Sequence, residues 1–289
     1  MTGDGLPHAA KRYNRPMAKI HPTAVVEPGA QLGEDVEVGA GAVVEADTVI
    51  GAGTVLRPHA VVRRYTAMGK GNFVDSFCVL GGDPQDLGFD RSSRTGLRIG
   101  DGNTFREGVT VSRATKPGGA TTVGDKTYWM ANSHAGHDCA IGDGVIIVNG
   151  SLLAGHVTVG DRSILSGNTV VHQFTWIGEM VMTQGKTGLG MHVPPYVMAA
   201  ETNQVVGLNL VGLRRSASLT DDDRRQIKQA FTLTYRSGLP ASKALAAMDA
   251  CGAWGPAAAR FREFVRRVLA AEKPHNRGLC PAVREKVNA

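Results

Sequence analysis

Counted in sixes from Ile20, the chain carries an aliphatic residue or methionine at Val26, Leu32, Val38, Val44, Ile50, Leu56, Val62, Met68, Val74 and Leu80 without a break. Glycine follows directly at Gly33, Gly39, Gly51, Gly69 and Gly81. The series resumes at Ile99, Phe105 and Val111, and again at Val123, Trp129, Ala135, Ile141, Ile147, Leu153, Val159, Leu165, Val171 and Ile177. Neither strand alternation nor a helical stripe holds a period of six over such a length. The period predicts hexapeptide units of one short strand and one corner, three of them closing a coil of about 18 residues in a triangular prism. Coils stack at ~4.8 Å with the aliphatic residue pointing inward. Small residues take the corners, where the turn calls for φ > 0.

The fold class that follows is an all-β left-handed parallel β-helix of roughly eight coils, with a small C-terminal α-helical domain. Residues 1–19 form an N-terminal extension, 20–197 the β-helix catalytic domain, and 198–289 the helical domain and tail. The prism stops where Pro194 and Pro195 cannot continue a ladder. Beyond it the period changes to 3.6. Thr220 followed by Asp221, Asp222 and Asp223 reads as an N-cap with an acidic first turn. That helix runs through Ile227, Ala230, Phe231 and Thr234 to a stop at Ser237 and Gly238. A second covers about 241–250, and a third starts near Pro256 with Phe261, Phe264, Val265, Val268 and Leu269 on one face. Two stretches, 82–98 and 113–120, break the count of six. A solenoid admits insertions only as surface loops, and long loops on a rigid scaffold usually carry function.

Composition narrows the classes. The 37 glycines are roughly twice the usual share of about 7%, without the period of collagen. A net charge of +6 and a pI near 9.3 suit an acidic partner, such as a nucleotide or an acidic carrier protein. No long Lys/Arg run is present, so nucleic acid is not expected as a partner. Cys78, Cys139, Cys251 and Cys280 are scattered, which excludes a disulfide framework or a zinc knuckle. No segment reaches the ~18–20 apolar residues of a membrane span. The first 19 residues hold Lys11, Arg12, Arg15 and Lys19 without an apolar run, so a cytoplasmic protein is expected rather than a secreted one.

Four of the nine histidines, His134, His137, His156 and His172, fall in the later coils. His137 and His156 are 19 residues apart, close to one coil, and His172 is expected to join the same cleft. Three chemistries use such a cluster. Catalytic zinc wants three ligands and an open position. In β-helices resembling γ-class carbonic anhydrase the long gap between ligands precedes the short one, whereas here the short gap comes first. No metal site is therefore expected. General-base catalysis fits better: Asp138 beside His137 can set the ring's tautomer, and Gly155 beside His156 offers an unhindered N–H to an oxyanion. Simple phosphate binding by the imidazoles is the third. The residues by themselves leave the second and third readings both standing.

The stretches GGDPQDL (81–87), HAGHDC (134–139), LAGHV (153–157), VVHQF (170–174), HVPPYV (192–197) and GLNLVGLRR (207–215) occur in this order, followed by YRSG (235–238) and RGL (277–279). In this ordered set the chain resembles the UDP-N-acetylglucosamine O-acyltransferases of lipid A biosynthesis over nearly its whole length. Hexapeptides alone are weakly specific, but the ordered set is highly so. The resemblance implies transfer of a (3-hydroxy)acyl chain from acyl carrier protein to the 3-hydroxyl of UDP-N-acetylglucosamine by a homotrimer. It implies no cofactor beyond the carrier's phosphopantetheine. His137 is then the general base, Asp138 its partner and Gly155 the oxyanion donor. Asp86, His134, His156, His172 and Gln173 line the sugar and pyrophosphate site. Asn209 and Arg215 contact the nucleotide or the phosphopantetheine, and Gly185 stands where the family measures the acyl chain.

The chain also departs from the family. Gly88 stands where a lysine is usual after GGDPQDL, and the family's HRGT reads Ser112, Arg113, Ala114, Thr115. Gln184, Lys186 and an inward Trp129 are atypical too. These point to a second reading, a paralogue acting on another nucleotide sugar. A non-catalytic β-helix binder is a third, and it requires no ordered histidine set. The related N-acyltransferases carry a uridine-binding domain before the repeats, whereas here the repeats begin by Ile20.

Overall fold

The structure is a computed structural model and describes residues 17–283. Most of the predicted N-terminal extension therefore lies outside the described residues. The chain winds into a left-handed parallel β-helix whose three faces are sheets of short, mostly two-residue strands. Lys19 pairs with Glu37, Val25 with Val43 and Gln31 with Val49, so each coil advances by 18 residues, as the period requires. The three sheets hold 11, 9 and 8 strands, which makes eight complete coils among the described residues. The second residue of each two-residue strand points inward, and from Val38 onward the interior series is almost wholly shielded from solvent. Ile20, in the first coil, is still 47% exposed.

Trp129 fits the interior without strain. It is fully buried, stacks on Phe105 of the coil below at 5.7 Å, and its indole N–H donates to Thr127 Oγ1 at 2.8 Å. The corner glycines need a different explanation from the one expected. Gly81 itself takes positive φ, but after the other four the residues with positive φ lie two positions later, at Asp35, Gly41, Gly53 and Gly71. Gly33 and Gly51 are constrained by close approach instead. A Cβ on Gly33 would lie 2.5 Å from the Ala52 nitrogen, and one on Gly51 2.4 Å from the Gly69 carbonyl carbon. The neighbouring coil leaves no room there for any side chain.

The two insertions leave the register intact. Phe73 pairs with Thr104 across 31 residues, 18 plus 13, and Thr104 with Tyr128 across 24, 18 plus 6. Strands Val79–Gly82 and Gly96–Ile99 flank the first loop, so its ends are ladder, and the excursion itself spans 83–95. The second loop, 113–119, lies against the first: Arg113 N donates to Gly82 O at 2.9 Å and Gly118 N to Arg94 O at 3.0 Å.

After Pro195 the strand Val197–Ala200 turns back antiparallel on Gln204–Leu208, which ends the winding. Helix α1 (Leu210–Arg215), which the periodicity does not reveal, follows directly. Helix α2 (Asp221–Tyr235) starts at the expected Thr220 cap, closed by a reciprocal capping box with Asp223. Helices α3 (Ala241–Ala250) and α4 (Pro256–Leu269) complete the helical part. Ile227, Phe231, Met248, Phe261 and Val265 form their buried core, while Leu269 is 44% exposed. The tail then returns to the prism, where Leu279 bridges to His192 and the Tyr235 hydroxyl donates to Cys280 O at 3.0 Å.

Candidate active site

One corner of the later coils gathers the histidines, and the 18-residue advance determines how. Asp138, His156 and Phe174 occupy equivalent positions one coil apart, each with positive φ near 60°. The residue before each forms a second column: His137, Gly155, Gln173. His156 therefore sits above Asp138, not above His137. Its ring meets that of His137 edge-on at 5.1 Å and stacks on Phe174 at 4.6 Å.

His137 is buried, with its Nδ1 2.8 Å from Asp138 Oδ2. An Nδ1–H donated to the carboxylate leaves Nε2 as the lone-pair nitrogen, the state a proton acceptor requires. The ring lies flat against Gly155. A Cβ there would fall 2.5 Å from His137 Cε1 and 2.6 Å from Nε2, so glycine is the residue this corner accepts. Among the described residues the Gly155 N–H makes no hydrogen bond. Asp138 Oδ2 also accepts from Thr115 Oγ1 at 2.7 Å and lies 3.6 Å from His156 Nε2.

Burial works against a charge on Asp138. The hydrogen bonds from His137 and Thr115, with the field of His156, outweigh it and hold the carboxyl below the usual range. Burial is the largest influence on His156 and lowers its pKa, with Asp138 opposing. Burial likewise lowers that of His134, whose Nδ1 pairs with Thr110 Oγ1 at 2.7 Å. Burial thus favours the neutral form of both flanking rings.

A cleft of about 420 Å³ opens beside this corner, lined by Gln85, His134, His137, Gly155, Leu152 and Gln173 among others. Four predicted residues, His134, His137, Gly155 and Gln173, share this lining. Asp86 does not line it in the single chain. Its Oδ1 accepts from Gly88 N at 2.9 Å within the first loop, and the neighbouring Gln85 faces the cleft. His172, expected in the same cleft, does not line it in the single chain. It falls two residues short of the Phe174 position, is exposed, and takes a 2.6 Å contact from Arg277 Nη2 of the tail. Asn209 is buried as the N-cap of α1, with Oδ1 accepting from Gly212 N and Nδ2 donating to Met180 O, both at 2.9 Å. Arg215 is exposed in the last turn of α1, and Gly185 is exposed at the opposite edge of the sheet that carries His134.

His137, Asp138 and His156 each offer one ligand atom within 4.8 Å of the others, the one such group among the described residues. Asp138 Oδ2 already accepts from His137 and Thr115, so an ion bound through that oxygen would compete with both bonds. The residue that sequence reasoning missed is Thr115. Its signal was present, because it lies in the second break of the hexapeptide count. Arg113, from the same break, is buried and holds the first loop through Asp83 Oδ1 at 3.0 Å and Ser93 O at 2.9 Å.

Comparison with known proteins adds to this geometry. Residues 192–280 match the family described as UDP-N-acetylglucosamine O-acyltransferase, domain 2. Residues 29–64 and 120–155 match the bacterial transferase hexapeptide family. The chain is 50% identical over 233 residues to the acyl-[acyl-carrier-protein]–UDP-N-acetylglucosamine O-acyltransferase of Anaeromyxobacter sp. (strain Fw109-5), covering 80% of this chain and 90% of that one. With the enzyme of the same name from Burkholderia lata it shares 44% over 255 residues, 86% and 97% of the two chains. The crystal structure of UDP-N-acetylglucosamine O-acyltransferase from Moraxella catarrhalis superposes with a TM-score of 0.83 at 33% identity, over 90% of this chain and 99% of that one. The Arabidopsis UDP-N-acetylglucosamine acyltransferase gives 0.81 at 31%, over the same shares.

Because the Asp138 carboxyl is held below its ordinary range in the fold, its charge stabilises the folded chain fully above about pH 4. That contribution fades as the pH falls through the lower folded value. Asp138→Asn should therefore cost about 1–3 kcal/mol at pH 7, with the gap to wild type closing below about pH 4. Denaturant titrations across this range measure it; a gap that stays constant from pH 7 to pH 3 contradicts the assignment.

Proposed function

The chain belongs to the acyl-[acyl-carrier-protein]–UDP-N-acetylglucosamine O-acyltransferase family, and from that premise we propose that it moves a (3-hydroxy)acyl chain from acyl carrier protein to the 3-hydroxyl of UDP-N-acetylglucosamine, with His137 as general base. The observation that carries this reading is the His137 ring, tied to Asp138 through Nδ1 and lying with Nε2 against Gly155 beside the cleft. Nε2 takes the proton of the sugar 3-hydroxyl as its oxygen attacks the thioester carbonyl. Negative charge develops on the carbonyl oxygen, and the Gly155 N–H meets it. Collapse of the adduct expels the phosphopantetheine thiolate, which recovers the proton from His137. Asp138 stays ionised throughout and steadies the imidazolium. No further cofactor takes part.

His134, His156 and Gln173 hold the sugar and pyrophosphate as hydrogen-bonding groups, and Arg215 reaches the nucleotide or the carrier's arm. The basic balance of the chain and the arginines of α1 and α4 suit an acidic carrier. The acyl chain crosses the outer side of the sheet, over Leu152 (46% exposed) and Val170 (49%), from His137 at one edge toward Gly185 at the other. Gly185 lies three coils above His137, about 14 Å along the axis. We place the chain in a homotrimer, which suits the exposed apolar stripe on this face and the fully exposed Leu87 in the first loop. The reaction belongs in the cytoplasm, in keeping with four free cysteines and with no described helix long and apolar enough to cross a membrane.

Three measurements follow. Purified protein should transfer 3-hydroxyacyl chains from carrier to UDP-N-acetylglucosamine, more slowly as salt rises, and His137→Ala should lose about 10²–10⁴-fold in rate; a variant as active as wild type removes His137 from the role. A Cβ at Gly185 meets nothing nearer than Gly167 O at 3.5 Å, so Gly185→Met should fold normally and prefer shorter acyl chains. An unchanged chain-length profile contradicts the acyl path. Sedimentation should show a trimer at working concentration, and a stable monomer overturns the assembly.

A further inference from the structure

Asp138 is positioned from outside its own coil. Thr115, in the second loop, donates to it twice: Oγ1 to Oδ2 at 2.7 Å, and the backbone N–H to Oδ2 at 3.2 Å and Oδ1 at 3.3 Å. Asp138's own N–H donates to Thr121 Oγ1 at 2.8 Å, just after that loop. The carboxylate is therefore gripped between His137 on one side and the loop on the other. Without the Thr115 hydroxyl, Oδ2 keeps the His137 bond, the longer backbone N–H contact of residue 115 at 3.2 Å and the more distant His156 Nε2 at 3.6 Å, and the carboxylate is held less firmly about χ2.

The loop itself is held in place. Arg113 N donates to Gly82 O and Ala114 N to Gly96 O at 3.1 Å, while Gly96 N donates to Gly119 O at 2.9 Å. The Arg113 guanidinium, 3% exposed, reaches Asp83, Ser93 and Thr95 and lies over the Phe89 ring at 5.0 Å. This stretch is where the chain departs from its family, with Ser112 and Ala114 in place of histidine and glycine, yet Ala114 is fully buried and the loop keeps its seat. A break in the repeat thus delivers a hydroxyl to the dyad from a base that is ordered by backbone pairing on both sides.

We propose that Thr115 is a positioning residue for the reaction: its hydroxyl fixes the Asp138 carboxylate on His137 Nδ1 and so keeps Nε2 aimed into the cleft. Thr115 touches neither substrate and acts only through Asp138. The proposal rests on the acyl-transfer reading above, and its test separates the two.

The test compares Thr115→Val, Thr115→Ser and Asp138→Asn in the full chain. Thr115→Val removes the hydroxyl at nearly constant shape and should lower kcat by about 10-fold, with KM for UDP-N-acetylglucosamine and for acyl carrier protein within about twofold of wild type. Thr115→Ser should restore kcat, because the hydroxyl returns. In an Asp138→Asn background the Val substitution should change kcat by less than about twofold, the non-additivity of residues that act as one unit. An equal loss in both backgrounds, or a rise in KM with unchanged kcat, overturns the proposal. The His137 Nδ1 proton, followed by NMR of histidine-labelled protein, reads the same contact without turnover. Its signal should shift or vanish in Thr115→Val and persist in Thr115→Ser; a signal indifferent to Thr115→Val overturns the proposal even if the variant is slow. Wild-type protein that transfers nothing defeats the acyl-transfer reading, while the NMR comparison still decides the role of Thr115.

Discussion

The structure depends on one constraint: three hexapeptides close a coil, so residues 18 apart lie directly above one another. The aliphatic interior enforces it. A coil that slipped by one position would turn Val44, Ile50 and Leu56 outward and bring their polar neighbours in. Each corner is therefore an address fixed by the whole core, and a side chain placed there is held by packing many residues away. Between coils, close approach sharpens the register further, because positions such as Gly33 and Gly51 admit no side chain at all.

The site uses that rigidity. Asp138, His156 and Phe174 share one column, and His137, Gly155 and Gln173 the next, so imidazole, carboxylate and backbone N–H are placed by the same repeat that builds the core. The repeat cannot supply everything. A regular prism presents only shallow corners, and both Thr115, which grips Asp138, and Gln85, which faces the cleft, come from the two excursions. Scaffold and loops thus divide the work: the coils fix where the base stands, and the insertions determine what surrounds it.

Much of this was legible in the sequence because the period was long and resumed in register after each break. The winding, the insertions, the Thr220 cap and the pairing of His137 with His156 all follow from counting. What counting could not place has physical causes. His172 belongs to the right coil, but a shift of two residues moves it from the column to the strand end, where Arg277 of the tail meets it. Asn209 sits in a recognisable motif, yet the short helix it caps carries no periodicity, so its structural use was hidden. Thr115 lies in a break of the pattern, and a count of six has nothing to say about residues outside it.

The most direct measurement is a crystal structure of the protein with UDP-N-acetylglucosamine bound. The account predicts the sugar 3-hydroxyl oxygen at about 3 Å from His137 Nε2, with the His137–Asp138 bond intact. A nucleotide sugar bound with every hydroxyl beyond hydrogen-bonding reach of His137, or seated away from the Gly155 corner, would contradict it.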